Sequence, residues 1–220
     1  MTDPENQYSN AAEYNQDSLA AEWDSPGRIQ RLAAPLISAG TIVLDLGIGT
    51  GQSVEGYTQK GAHVIGIDHD SSMLEAAQIV VGDESDLRIG DINAGLPVED
   101  LVGSVDLVQA VGVLEFVIDL ASIVGKVNVI LRSGGTFVFT AEIIPEDSAV
   151  STVEKYPDAG VTVYRHTLLD IETVLADNGF KLLSQESYGG YSRNDNEPGK
   201  VPYVAILAQK VALSPINIAV

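Results

Sequence analysis

The run Val43-Leu44-Asp45-Leu46-Gly47-Ile48-Gly49-Thr50-Gly51 limits this chain more than any other stretch. A short apolar segment with β-branched content leads straight into three glycines at alternate positions. That pattern predicts a buried strand entering a tight turn that opens a helix. Glycine allows the unusual backbone angles of such a turn and lets a ligand lie against the main chain. Asp45, an acid at the strand end, decides which ligand. A dinucleotide fold sets a pyrophosphate on the backbone N–H groups here, and a carboxylate beside it repels that group. The spacing is also G-x-G-x-G, not the G-x-G-x-x-G of the dinucleotide fingerprint. A ligand carrying an ammonium group suits Asp45 better.

The 220 residues suit one domain with a full core and a small lid. Acids outnumber bases 31 to 12, for a net charge of −19. Such a surface repels nucleic acid and anionic membranes, which leaves a small molecule or a basic protein as partner. A solubility or salt adaptation accounts for the same charge equally well. No apolar run approaches the length of a membrane span, and the N-terminal MTDPENQYSN does not read as a signal or transit peptide. The absence of cysteine excludes disulfides and thiolate chemistry, and the expected location is cytoplasmic. The oligomeric state is left open.

Residues 1–27 read as an N-terminal lid or extension with Tyr8, Tyr14 and Trp23, ending at Ser25-Pro26-Gly27. A domain is expected over 28–210 and a loose tail over 211–220. Residues 28–38 have helical spacing, and Gly40 stops that helix. Strands and helices then alternate. Strand 42–46 precedes a helix over 52–60, strand 63–67 a helix over 71–80, and a third strand lies near 86–90. Strand 105–111 precedes a helix over 118–131, and strand 136–141 follows a Ser133-Gly134-Gly135 turn. Alternation of this kind implies an open, mostly parallel α/β sheet with helices on both faces. Residues 142–166 read as irregular. Thr167 and Asp170 form a capping-box start for a helix over 168–178. Strands 180–187 and 201–209, joined by a polar loop without a helix, read as antiparallel neighbours.

With its acid before the glycine turn, VLDLGIGTG resembles motif I of the class I S-adenosylmethionine-dependent methyltransferases. The match extends in order over about residues 41–140. The resemblance implies their Rossmann-like seven-stranded sheet, with the last, antiparallel strand inserted beside the sixth. It implies S-adenosyl-L-methionine as cofactor, bound outside the strand ends. Asp45 then meets the methionine ammonium, and Gly47, Gly49 and Gly51 give backbone access. Asp68 in GIDHDSSML accepts the ribose hydroxyls; the other reading of Asp68 or Asp70 is a helix cap. Met73 packs on the adenine or on the core. Asp91 and Ile92 in GDINAGLP match the adenine contacts, against a plain turn acid. Asp106 opens the strand resembling motif IV, and a main-chain carbonyl near Ala110, within Gln109–Val111, meets the ammonium. Many small-molecule members read V-L-E-H next. This chain has Leu114-Glu115-Phe116, so a base supplied by that histidine is excluded.

The substrate side is expected from topology. Tyr164, Arg165 and His166 precede the helix after the fifth strand, so they fall near the cofactor mouth. Tyr188, Tyr191 and Arg193 fall in a loop over it, while Tyr14 with Tyr8 and Trp23 closes a lid. The expected catalytic residues are His166, Tyr14 and Tyr191. His166 suits a general base because its ordinary pKa is near neutrality, while packing at the helix start accounts for it equally well. Glu142 ends the fifth strand and can face a polar substrate. His63 reads as structural and His69 as a solvated neighbour of Asp68. Three histidines without ligand spacing predict no metal. Methyl transfer to an O, N or C nucleophile of a small molecule is the leading expectation. Methylation of a basic protein, cofactor binding without transfer, and nicotinamide oxidoreduction are the alternatives, the last disfavoured by Asp45.

Overall fold

The computed structural model describes residues 11–144, 153–156, 161–192 and 200–211. Tyr8, Arg193 and nearly all of the expected tail lie outside the described residues. The β-branched apolar runs form the inner strands, buried on both faces, while the edge strands are more exposed. These are β1 (Ile42–Leu46), β2 (His63–Asp68), β3 (Asp86–Ile89), β4 (Val105–Ala110), β5 (Leu131–Glu142), β8 (Phe180–Ser192) and β9 (Lys200–Lys210). They make one sheet in the order β3-β2-β1-β4-β5-β9-β8. The first five run parallel, and β9 lies antiparallel between β5 and β8. This is the expected Rossmann-like seven-stranded architecture.

Strand periodicity divides the core in two. Leu44, Leu46, Ile65 and Ile67 face one side and pack with the helices α4 (Leu120–Ile130) and α5 (Leu168–Asp177). Val43 and Val64 face the other, with the helices α2 (Ser25–Ala33) and α3 (Ser71–Val81). A further helix, α1 (Ala11–Ala20), precedes α2. Among the described residues no helix is long and apolar enough to cross a membrane.

Five local expectations change. The helix over 52–60 is replaced by two short 3₁₀ turns, Gln52–Val54 and Thr58–Lys60. Gly56 between them has φ +81°, which a right-handed helix does not accommodate. Ser25-Pro26-Gly27 does not end the N-terminal segment but forms the first turn of α2, where proline's missing N–H costs nothing. Ser133-Gly134-Gly135 lies within β5, in the register irregularity between the pairs Val105–Leu131 and Leu107–Thr136. Within the irregular stretch, β6 (Val153–Tyr156) and β7 (Val161–Tyr164) pair as a separate antiparallel ribbon. Tyr188 and Tyr191 are not in a loop, because β8 continues to Ser192 and pairs with β9.

The Thr167 capping box is fully formed. Its hydroxyl accepts the Asp170 N–H at 3.0 Å, and the Asp170 carboxylate accepts the Thr167 N–H at 3.1 Å. Replacing Thr167 by Ala is expected to lower stability by about 1 kcal/mol in a denaturant titration.

Candidate active site

The strand register brings β1, β2 and β4 to a common end. Asp45 pairs across with Gly66 and Gln109, on the face shared with Val43. It is completely buried. Oδ2 accepts the Ser53 hydroxyl at 2.7 Å and the Gln109 amide at 2.8 Å, and Tyr57 donates to Gln109 at 3.3 Å. Oδ1 is also buried but has no hydrogen-bond partner. Burial pushes the Asp45 pKa up to about 7, against the Ser53 and Gln109 hydrogen bonds that favour the charged form. A half-satisfied buried carboxylate of this kind calls for a cationic donor.

Asp68 ends β2 and holds the turn from the other side. Its Oδ2 accepts the Gly49 N–H at 2.9 Å, and its Oδ1 accepts the Asp70 N–H at 3.0 Å. Asp70 is the helix cap, taking the Ser72 N–H at 2.7 Å, so Asp68 keeps lone pairs for a ligand. His69 sits 3.4 Å from Asp68, and that contact raises its pKa. His63 is exposed at the opposite end of β2.

The three glycines of the turn differ. Gly49 has φ +54° and open space where a Cβ would stand. A Cβ on Gly47 would lie 2.7 Å from the Val113 side chain. One on Gly51 would lie 3.2 Å from Val80, so Gly51 serves the packing of the turn on α3. Met73 is buried in the first turn of α3. Asp91 takes the Asn93 N–H at 2.7 Å in a tight turn, and Ile92 packs on the core. Asn93 joins this turn to the one after β4, through Phe116 O and Ile118 N at 3.0 Å each. Ala110 is fully buried at the end of β4.

The N-terminal residues cover this region. Asn15 in α1 accepts both the Thr50 hydroxyl at 2.7 Å and the Gln52 amide at 2.6 Å. Tyr14 and Trp23 meet edge to face, 6.2 Å between centroids. They line a shallow cleft with Pro26, Gly47, Ile48, Thr50, Gln52, Ser53 and Val111. The Trp23 ring lies on Gly112, where a Cβ would come within 2.5 Å of it.

The substrate-side candidates fall into one cluster with two residues that sequence reasoning missed. Glu142 accepts Arg165 Nε at 2.6 Å and the Tyr191 hydroxyl at 2.8 Å. Tyr203, opposite Glu142 on β9, donates to Glu115 Oε1 at 2.5 Å and stands 3.4 Å from Glu142 Oε1. The Tyr203 ring fits against β8 because residue 190 is glycine; a Cβ there would lie 2.4 Å from the ring. Tyr188 packs 5.9 Å from Tyr203 and bonds Ser25 at 2.6 Å. His166 bridges to Ile143, its Nε2 is buried with no hydrogen-bond partner, and burial lowers its pKa. Tyr164 ends β7. Phe116 stands in a short 3₁₀ turn after β4.

A family model described as a methyltransferase domain matches residues 44–139. The chain is similar to the ubiquinone biosynthesis O-methyltransferase of Acinetobacter baylyi, at 33% identity over 107 residues, covering 46% of this chain and 44% of that protein. It thus spans less than half the length of the curated relatives it matches. A methyltransferase structure from Mesorhizobium loti superposes with TM-score 0.68 at 21% identity, over 82% of this chain and 97% of that one. The 1,6-didemethyltoxoflavin-N1-methyltransferase of Burkholderia thailandensis, solved with its substrate and S-adenosylhomocysteine, gives TM-score 0.68 at 13% identity, over 90% and 84%. The residues present fit S-adenosylmethionine: a buried Asp45 oxygen awaits a donor, and the Gly49 backbone is open.

The raised Asp45 pKa has a definite sign in stability. The folded protein binds more protons than the unfolded chain between the ordinary value of 3.8 and about 7, so the Asp45 contribution to stability falls as pH rises through that window. Asp45→Asn is expected to flatten this slope and to gain roughly 1–3 kcal/mol over the parent at pH 8 without ligand. Thermal unfolding from pH 4 to pH 9 measures it.

Proposed function

We propose that this chain transfers the methyl group of S-adenosylmethionine to an O, N or C nucleophile of a small molecule. The observation that carries the reading is Asp45: a buried acid at a glycine turn, with one oxygen tied by Ser53 and Gln109 and the other without a donor. The O-methyltransferase relatives support a small-molecule substrate.

In this reading Asp45 takes the ammonium of the cofactor, with the Ala110 carbonyl beside it. Gly47 and Gly49 let the cofactor lie on the turn, and Gly51 seats the turn on α3. Asp68 accepts the ribose hydroxyls, while Met73, Asp91 and Ile92 form the adenine end. When bound, the cofactor supplies a methyl carbon already electrophilic beside a sulfonium. The chain therefore needs mainly to orient the nucleophile in line and to exclude water. Tyr14 and Trp23 exclude water from the cleft. Tyr191 and His166 stand on the substrate side, and His166, held neutral by burial, is available to accept a proton.

Asp68→Ala is expected to weaken cofactor affinity by roughly 1–3 kcal/mol, through loss of hydroxyl partners and of the Gly49 anchor. Isothermal titration with S-adenosylmethionine reads this directly. Unchanged affinity, or a parent chain that does not bind at millimolar cofactor, overturns the reading.

A further inference from the structure

Two buried carboxylates in this chain share one unusual arrangement. Asp45 has one oxygen held by the protein's own donors and the other with no partner. Glu115 repeats this at the far side of the β4 end. It is only 3% exposed; Oε1 takes the Tyr203 hydroxyl, and Oε2 is buried with no hydrogen-bond partner. A tyrosine has a single hydroxyl proton to give, and the 2.5 Å contact directs it to Glu115 rather than to Glu142 at 3.4 Å. Glu142 has Arg165 as its cation. No cation among the described residues pairs with Glu115.

Glu115 lies outside the lining of the cleft and is linked to it through packed residues. Glu115 lies three residues past Gly112, which Trp23 covers, and two past Val113, which touches Gly47. From Pro26 in the cleft wall, a continuous line runs through Ser25, Tyr188 and Tyr203 to Glu115. Aromatic rings beside a carboxyl group with one unpartnered oxygen make a receptor that, once ionised, takes a cation rather than a neutral hydroxyl.

We propose that Oε2 of Glu115 receives the substrate's nucleophile, and that this nucleophile is an amine arriving as its ammonium ion. The proposal rests on the methyl-transfer reading above and specifies its acceptor. In the reaction, an N–H bond of the ammonium breaks and an O–H bond forms at Oε2. The electron pair left on nitrogen then forms the N–C bond to the methyl carbon as the carbon–sulfur bond breaks; that bond's electron pair passes to sulfur, the thioether S-adenosylhomocysteine is the leaving group, and the methylated ammonium departs with its remaining protons. The ionisable groups on the elements packed around Glu115 are Glu142 on β5, Tyr203 on β9, Tyr188 and Tyr191 on β8, Tyr164 at the end of β7, and Arg165 and His166 after it, with Asp24 and Arg28 paired beyond Tyr188. Burial first, and then repulsion from Glu142, raises the Glu115 pKa to about 8. At pH 7 the free carboxyl is therefore mostly protonated, and an arriving ammonium displaces that proton.

The test is calorimetric titration of the full chain, with and without S-adenosylhomocysteine. Methylamine, benzylamine and tryptamine are compared with methanol, benzyl alcohol and tryptophol, at pH 7 in two buffers of different ionisation enthalpy. At least one amine is expected to bind tenfold or more tighter than its alcohol and to release close to one proton. Its affinity should rise by up to about tenfold per pH unit toward pH 8. Glu115→Gln should lose both the preference and the proton release while keeping its affinity for S-adenosylhomocysteine. Tyr203→Phe, which removes the hydrogen bond favouring the charged form, should move the pH midpoint upward, and it serves if Glu115→Gln does not fold. No amine preferred over its alcohol, a preference that survives Glu115→Gln, or a midpoint unmoved in Tyr203→Phe overturns the proposal. Amine binding without S-adenosylhomocysteine binding instead overturns the methyl-transfer reading and leaves the amine site standing.

Discussion

A carboxylate in the middle of a hydrophobic sheet is the constraint around which this chain is arranged. Asp45 sits on an interior strand, β1, covered on its own face by α2, α3 and the short turns between them. A charge so placed is costly unless donors surround it. The chain supplies Ser53 from the turn and Gln109 from the neighbouring strand, with Tyr57 steadying Gln109. The turn must fold back tightly to deliver Ser53, and this is where the left-handed glycines are spent. Asp68 closes the turn by taking the Gly49 N–H. The polar contacts that shape the loop also leave one lone oxygen, so the scaffold and the binding chemistry come from the same residues.

The substrate side is built on a different principle. The cofactor side depends on parallel strands ending together, whereas the second cluster depends on one antiparallel strand pushed between β5 and β8. Its register places Tyr203 opposite Glu142 on one side and Tyr188 on the other. Three strands distant in sequence thereby contribute to one polar row, and the turn after β4 adds Glu115. Gly190 leaves the space that the Tyr203 ring fills.

What the sequence disclosed follows the range of its signals. The alternation of strands and helices, the glycine turn and the Thr167 capping box are local patterns, and each is present where the residues predict it. The helix expected over 52–60 does not form because Gly56 takes a left-handed backbone that forbids its continuation. The β6–β7 ribbon was legible in the alternation of Val161-Thr162-Val163-Tyr164, although Pro, Asp and Gly nearby obscured it. Tyr203 and Glu115 lie 88 positions apart, and nothing in either segment announces the other. Gln109 and Ser53 were likewise hidden as side chains, for their role comes from a strand register that local sequence does not state. Glu115 was noticed only as the residue before Phe116.

The strand order has a consequence for how this protein is made. The strands that bear the glycine turn, Asp68 and Asp45 are neighbours in the first half of the chain, so their pairings close early on the ribosome. β8 has β9 as its sole sheet partner and must wait for it, while β5 keeps an open edge until Lys200–Lys210 emerges. Until the last strand emerges, the nascent chain therefore carries a paired first half beside an unpaired apolar rim.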